Sequence, residues 1–370
     1  MKILLLCWRD STHPQGGGSE QYLERVGEYL AQQGNEVVYQ TSAYTDAPAR
    51  SRRKGIRYLR AGGKFTVYPR AWWRMLRGRL GFGPLADVDV VIDTQNGIPF
   101  FAKIFSGRPT ILLTHHCHRE QWPVAGPFIA RLGWFLESRV APRVYRHSQY
   151  ITVSQPSAEE LVQLGVQPEQ IRIIRNGVDP LPSDIPHLNR LSATHLMTLS
   201  RLVPHKHIEQ AIDLVATVPD CHLDIVGSGW WAENLKEYAR RSGVEDRISF
   251  HGQCSEAIKH ALLERADIHL MPSRKEGWGL AVIEAAQHAT PTVGYVSSGG
   301  LQDSIIHGET GLLAHSPSQF RDYVLSLWQN PQRRSELGCQ AQVFAQQFSW
   351  EATGQAIAKV VAEQAKRGEY

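Results

Sequence analysis

The sequence predicts an α/β chain of two doubly wound, Rossmann-like domains. Three observations lead there. Short apolar runs such as Val90-Val91-Ile92 lack alternation, as strands covered on both faces do. These runs alternate with longer helical patterns, which implies βαβ units and parallel sheets. A segment with three prolines and no periodicity, 179–189, breaks the chain into halves of similar plan. The length of 370 residues suits two domains of ~100–200 each.

In the first half the expected strands are 2–8, 36–42, 88–94, 110–115, 150–153 and 171–174. In the second they are 195–200, 222–226, 248–251, 267–271 and 292–296. After about residue 315 the strand pattern stops, and helices follow near 317–329, 331–347 and 350–367. With no partner strands there, these helices are expected to pack across the two sheets. The expected division is 1–180, 190–345 and a final helical segment 346–370. A ligand cleft is expected at the C-terminal ends of the strands.

Composition excludes several classes. Hydrophobic residues make up 42% and charged residues 21%, which is ordinary for a globular chain and excludes a disordered or collagen-like one. No apolar run approaches the ~18 residues that cross a bilayer. Residues 1–10 have too short an apolar core for a signal peptide and read as a first buried strand. Cys7, Cys117, Cys221, Cys254 and Cys339 are scattered and never form CxxC, so a reducing cytoplasm is expected. Residues 1–180 carry 23 Lys/Arg against 15 Asp/Glu, and residues 181–370 carry 17 against 21. One half therefore faces something negative that the other does not.

The sharpest chemical segment is 273–286, Ser-Arg-Lys-Glu-Gly-Trp-Gly-Leu-Ala-Val-Ile-Glu-Ala-Ala. A glycine-rich turn follows a strand and opens a helix near Gly279. Unpaired N–H groups at such a start attract anions. Glu276 before the helix would repel a phosphate unless it bonds sugar hydroxyls instead. Its bland reading is an N-terminal helix charge. Segment 199–207 also follows a strand, and Arg201 and Lys206 in it can hold a diphosphate, Arg201 as a fork and Lys206 as a point charge. The alternative there is solvated loop cations. Val226-Gly227-Ser228-Gly229 repeats the strand-to-glycine pattern.

In the first half, Gln15-Gly16-Gly17-Gly18-Ser19-Glu20 lies between strand and helix. It matches neither a P-loop nor GxGxxG, and a flexible turn capped by Ser19 reads as well. Thr114-His115-His116-Cys117-His118 follows another strand. Zinc is disfavoured there because consecutive residues of an extended chain point to opposite faces. A histidine that bonds substrate suits a strand end better. Asp87-Val88-Asp89 reads as the cap of the strand that follows.

Together these segments resemble the family 4 retaining glycosyltransferases of the GT-B fold, over nearly the whole chain. The resemblance rests on the triple glycine, Thr152-Val153-Ser154-Gln155-Pro156-Ser157, Arg175-Asn176-Gly177-Val178-Asp179 and the segments at 200–206 and 225–229. It also rests on Phe250-His251-Gly252, on Glu276 and Glu284 with seven residues between, and on the block from Gly300 to Leu313. It implies transfer of a hexose from a nucleotide-diphosphate sugar, GDP- or UDP-linked, with the anomeric configuration kept and no metal required. The donor would lie mostly on the second domain and the acceptor on the first.

On family grounds Glu276 would hold the donor sugar and Glu284 the ribose. Gly277, Trp278, Gly279 and Leu280, with Arg201 and Lys206, would hold the diphosphate. Gly17 and Gly18 would close over it, and Asn176 and Gly227 would line the site. One of His115 and His116 would bond the sugar, His116 being preferred. The catalytic set is then His116, Glu276, Arg201 and Lys206, with no metal ligands. Three positions depart from the usual pattern: Trp278 for phenylalanine, His207 for glycine and Asp303 for glutamate. The alternatives are a non-catalytic sugar-nucleotide binder and a phosphorylase of the same fold. No nucleic-acid partner is expected, since no helix-turn-helix, zinc-finger or RNP-like string occurs.

Residues 50–80 hold eleven basic residues and no acidic one, interleaved with Tyr58, Phe65, Trp72 and Trp73. A mobile solvated loop is one reading. A short helix over 70–77 with basic and aromatic groups at headgroup level is the other. The second implies a cytoplasmic protein, peripheral on the inner membrane face, or a phosphorylated or lipid-linked acceptor.

Overall fold

The structure is a computed structural model that describes residues 1–122, 126–189, 193–218 and 220–367. Residues 190–192, where the second domain was expected to begin, lie outside the described residues, as do 368–370 of the final helical segment. The chain divides into two compact units. Unit 1 is Met1–Gly177 with Trp350–Tyr370, and unit 2 is Val178–Ser349.

Unit 1 opens with β1 (Lys2–Leu6), α1 (Gly18–Gln32), β2 (Glu36–Thr41), β3 (Arg50–Arg53), β4 (Ile56–Arg60) and α2 (Val67–Arg79). It continues with β5 (Val90–Thr94), α3 (Ala102–Phe105), β6 (Thr110–Leu113), α4 (Pro127–Phe135), α5 (Ala141–Val144), β7 (Gln149–Thr152), α6 (Gln155–Gln163) and β8 (Ile171–Ile173). Its sheet runs β3-β4-β2-β1-β5-β6-β7-β8. Every pair is parallel except the β3–β4 hairpin at one edge. Leu4, Leu6, Val38 and Val91 are buried on one side against Val67, Ala71 and Met75.

Unit 2 holds β9 (Thr194–Leu199), α7 (Glu209–Thr217), β10 (Cys221–Val226), α8 (Ala232–Arg241), β11 (Ile248–Gly252), α9 (Glu256–Arg265) and β12 (Ile268–Met271). Then come α10 (Leu280–Ala286), β13 (Thr292–Tyr295), α11 (Leu301–Ser304), β14 (Gly311–Ala314), α12 (Pro317–Gln329) and α13 (Pro331–Ala345). Its sheet is wholly parallel, β11-β10-β9-β12-β13-β14. α12 and α13 pack in this unit on β14, while the last helix, α14 (Trp350–Arg367), packs on α1, β5 and β6 of unit 1.

Helix starts are chemically marked. Ser154, Ser255, Ser316 and Asn330 each accept a backbone N–H of the first turn, and proline follows at three of the four starts. Such caps are worth about 1 kcal/mol each.

The sequence reading misses β3, β4 and β14. β3 is Arg-Ser-Arg-Arg and has no apolar residue to mark it. β4 carries Arg60 into the interior, where Asp10 accepts its Nε–H at 2.7 Å. Several strands also end sooner than expected: the sheet stops at Leu6, Leu113 and Leu199, and the chain turns out into loops. Nor is the basic segment 50–80 a loop. It forms β3, β4 and α2, and Arg53, Lys54, Arg57 and Arg60 pair with Glu24, Glu28, Glu36 and Asp10. Among the described residues no helix is long and apolar enough to cross a membrane.

Candidate functional site

In an open parallel sheet the ligand crevice lies where strand order reverses, at the strands' C-terminal ends. In unit 2 the order reverses at β9 and β12, which are neighbours although far apart in the chain. The loops that leave them are 200–207 and 272–279, which carry Arg201, Lys206 and Glu276.

The fold brings these two loops together. The Arg274 amide donates to the His205 carbonyl at 2.9 Å. Lys206 Nζ lies 2.5 Å from Glu276 Oε1, both side chains largely buried. Glu276 is fixed from its other side, since its amide donates to the Ser298 carbonyl and its carbonyl accepts from Gly300. Ser298 in turn donates its hydroxyl to the Ser273 carbonyl. A side chain at Gly300 would put a Cβ 2.1 Å from the Gly277 carbonyl oxygen, so only glycine permits this approach. The Lys206 ammonium balances the Glu276 charge, which lowers its repulsion of any anion nearby. Arg201 stands exposed at the exit of β9.

Gly227 has a packing role. Its φ is +126°, and a Cβ there would lie 1.9 Å from the Ser200 carbonyl oxygen. It lets the end of β10 close against loop 200–207, where the Leu202 amide bonds the Ser228 carbonyl. Trp278 is buried, its ring edge-on to Phe348 with centroids 5.1 Å apart, so it offers the crevice backbone rather than indole. Gly277 and Leu280 are partly exposed beside it, and Gly279 takes a left-handed conformation before α10.

Glu284 meets a residue the sequence does not flag. Lys259 Nζ lies 2.7 Å from Glu284 Oε1 and 2.7 Å from Glu256 Oε2. Burial disfavours the ammonium, but the two carboxylates outweigh it and raise its pKa. Its one trace in the sequence is the spacing of Glu256 and Lys259 on a helix.

In unit 1 the glycine loop is anchored by Glu20, which is fully buried. Glu20 accepts from the Gly17 amide at 2.9 Å and pairs with Arg9 at 2.9 Å. Gly18 opens α1, and a Cβ there would meet no atom within 4 Å beyond its chain neighbours and its own helix backbone. Asn176 is buried, and its Oδ1 has no hydrogen-bond partner among the described residues.

The two histidines separate. His115 is buried edge-on to Tyr22, and burial, aided by the neighbouring His118, lowers its pKa to about 3. His116 is half-exposed, bonded by Gln121 Nε2 at 2.9 Å and stacked on His118. Buried Glu137 holds this loop by accepting from the His118 amide at 2.9 Å and from Trp122 Nε1 at 2.6 Å. Among the described residues no three His, Cys, Asp or Glu side chains converge as a metal site requires.

Comparison with known proteins agrees with this anatomy. Residues 190–344 match the family described as "Glycosyl transferases group 1", and residues 16–180 match "Glycosyltransferase Family 4". Glycogen synthase from Mycobacterium tuberculosis is 32% identical over 233 residues, which is 59% of this chain and 55% of that protein. The chain thus spans about half the length of the curated relatives it matches. Sucrose-phosphate synthase from Thermosynechococcus elongatus superposes with a TM-score of 0.80 at 20% identity, over 98% of each chain. Anabaena HepE, solved with UDP and glucose, gives 0.74 at 20% identity, over 98% of this chain and 100% of that one. At such identities the structures establish the fold. With both halves of the chain matched in order, the chain belongs to the family 4 glycosyltransferases, and its fold is GT-B.

Proposed function

We propose that the chain moves a hexose from a nucleotide-diphosphate sugar to an acceptor hydroxyl, keeping the anomeric configuration and requiring no metal. The Lys206–Glu276 pair at the switch point of unit 2 carries this reading. Unit 2 takes the donor. Glu276 accepts from sugar hydroxyls, Lys206 and Arg201 face the diphosphate, the backbone at Gly277, Gly279 and Leu280 supports it, and Glu284 takes the ribose. Unit 1 takes the acceptor, with His116 bonding the sugar and the Gly17-Gly18 turn approaching the phosphates.

The bond from the anomeric carbon to the diphosphate breaks, and its electron pair goes to the departing phosphate oxygen. The acceptor oxygen bonds the same face of the ring, and its proton passes to that phosphate oxygen. Fixed cations stabilise the charge that builds there. Among the described residues no carboxylate of unit 1 stands out as a double-displacement nucleophile, which favours this front-face course.

HepE was solved with UDP and glucose, so UDP-glucose is the first donor to try, with GDP-linked hexoses next. The acceptor class is a glycan, phosphorylated or lipid-linked. The site of action is the cytoplasm, peripheral on the inner membrane face, and the exposed Trp73 among Arg70 and Arg77 supports a surface role for 50–80. A panel of UDP- and GDP-sugars read by thermal shift tests the donor. A saturating ligand at 100 times its Kd adds about 2.7 kcal/mol. No shift with any nucleotide sugar would sink the reading. A shift without release of nucleoside diphosphate on adding acceptors would favour a non-catalytic binder.

A further inference from the structure

Arg53, Lys54, Arg57 and Arg60 of the β3–β4 hairpin each have a carboxylate partner, in Glu24, Glu28, Glu36 and Asp10. Three arginines beside them have none. Among the described residues no carboxylate pairs with Arg50, Arg70 or Arg74. Residues 47–86 contain no Asp or Glu that could move in to serve them.

The fold sets these three arginines along one groove. Gln40, Leu59 and Arg50 are cross-strand neighbours in register, so their side chains share a face of the sheet. Leu59 packs on that face with the core beneath α2. One flank of α2 points towards the loop after β5, where Tyr68 Oη donates to the Ile98 carbonyl at 3.2 Å and Trp72 Nε1 to the Phe100 carbonyl at 2.7 Å. The other flank carries Arg70 and Arg74, at i and i+4, towards β2, β4 and β3. Arg74 donates to Oε1 of buried Gln40 at 2.5 Å. Gln40 and Leu59 lie near the C-terminal ends of β2 and β4, and antiparallel β3 brings Arg50 to the same end. A parallel sheet takes its ligands at that end.

The three cations work against one another. Burial, and then the charges of Arg50 and Arg70, lower the pKa of half-buried Arg74. Like charges gathered without a carboxylate raise the energy of the groove, and a bound anion offsets it. One guanidinium fork satisfies a carboxylate, whereas three suit the three terminal oxygens of a phosphate monoester, which carries about −1.5 to −2 charges at neutral pH. We propose that Arg50, Arg70 and Arg74 bind a phosphate monoester on the acceptor, so that the acceptor is a soluble phosphorylated sugar rather than a neutral glycan. Arg74, held by Gln40, is the fixed member, and the exposed Arg50 and Arg70 close on the phosphate from β3 and α2. The proposal rests on unit 1 taking the acceptor and uses no part of the donor site.

The test is thermal shift of the full chain, without donor, in inorganic phosphate, glucose 6-phosphate, glucose or glucuronate. The two phosphates should raise the melting temperature with concentration, and glucose and glucuronate should not. Arg50→Gln and Arg70→Gln should each weaken glucose 6-phosphate binding about tenfold. Without ligand each should keep or raise the wild-type melting temperature, since each removes a repulsion on Arg74, whereas loss of a purely structural arginine would lower it. Arg201→Gln in unit 2 should leave the phosphate shift in place. No shift with either phosphate, an equal shift with glucuronate, a shift that Arg201→Gln abolishes and Arg70→Gln spares, or binding to phosphatidic acid vesicles alone would each overturn the proposal. The donor reading fails separately, when no nucleotide sugar shifts the melting temperature, whatever the phosphates do.

Discussion

Lys206 and Glu276 are seventy residues apart in the chain, yet Nζ and Oε1 meet at 2.5 Å because β9 and β12 are neighbours in the sheet. Under the proposed function the pair would give one spot of the switch point both a cation for phosphate and a carboxylate for hydroxyls. Either group alone would stand with its own charge uncompensated in a largely buried position.

Glu276→Ala should therefore lose transfer by on the order of 10²–10³ in kcat with the fold intact. Lys206→Ala should weaken nucleoside diphosphate binding far more than nucleoside binding. The two effects should be strongly non-additive in a double-mutant cycle. Near-normal turnover by Glu276→Ala would remove it from the site.

Lys259 should matter through Glu284. Lys259→Ala is expected to raise KM for the donor by about tenfold with a smaller change in kcat, the pattern of lost ground-state binding. Adding Glu284→Ala should cost little more. Independent, additive losses would mean that the pair only ties α9 to α10.

Chelation provides a separate check. If Arg201 and Lys206 supply the positive charge that a metal would bring, activity should survive EDTA. Loss with EDTA, restored by Mn²⁺, would contradict the metal-free reading and direct attention to the His116–His118 loop.

Acid should weaken unit 1 through His115. Burial holds its folded pKa at about 3, below the ordinary 6.5, so between these values the unfolded chain binds the extra proton. Stability is full above pH 6.5 and falls as the pH drops towards 3, by up to about 1.4 kcal/mol per pH unit for this group. His115→Gln should flatten that slope in urea melts at pH 4–7, and an unchanged slope would assign the acid sensitivity elsewhere.

Much of this molecule is legible from local chemistry. Val90-Val91-Ile92 reads as a covered strand because both its faces must be apolar, and Ser316-Pro317 starts a helix wherever it lies. The sequence by itself also determined which residues carry charge at the strand ends, since Arg201, Lys206 and Glu276 follow apolar runs directly. What it could not show were pairings made by strand order. Lys259 meets Glu284 only because α9 and α10 lie side by side, and buried Glu20 meets Arg9 only because α1 folds back over the loop that leaves β1. β3 escapes detection because its four residues gain their strand geometry from β4 rather than from any apolar side. Burial, too, was a tertiary decision. His115 and His116 are adjacent and chemically alike, yet the turn after β6 puts one against Tyr22 and leaves the other half in water. Period and composition act over a few residues, whereas desolvation and charge pairing depend on which distant elements the sheet brings into contact.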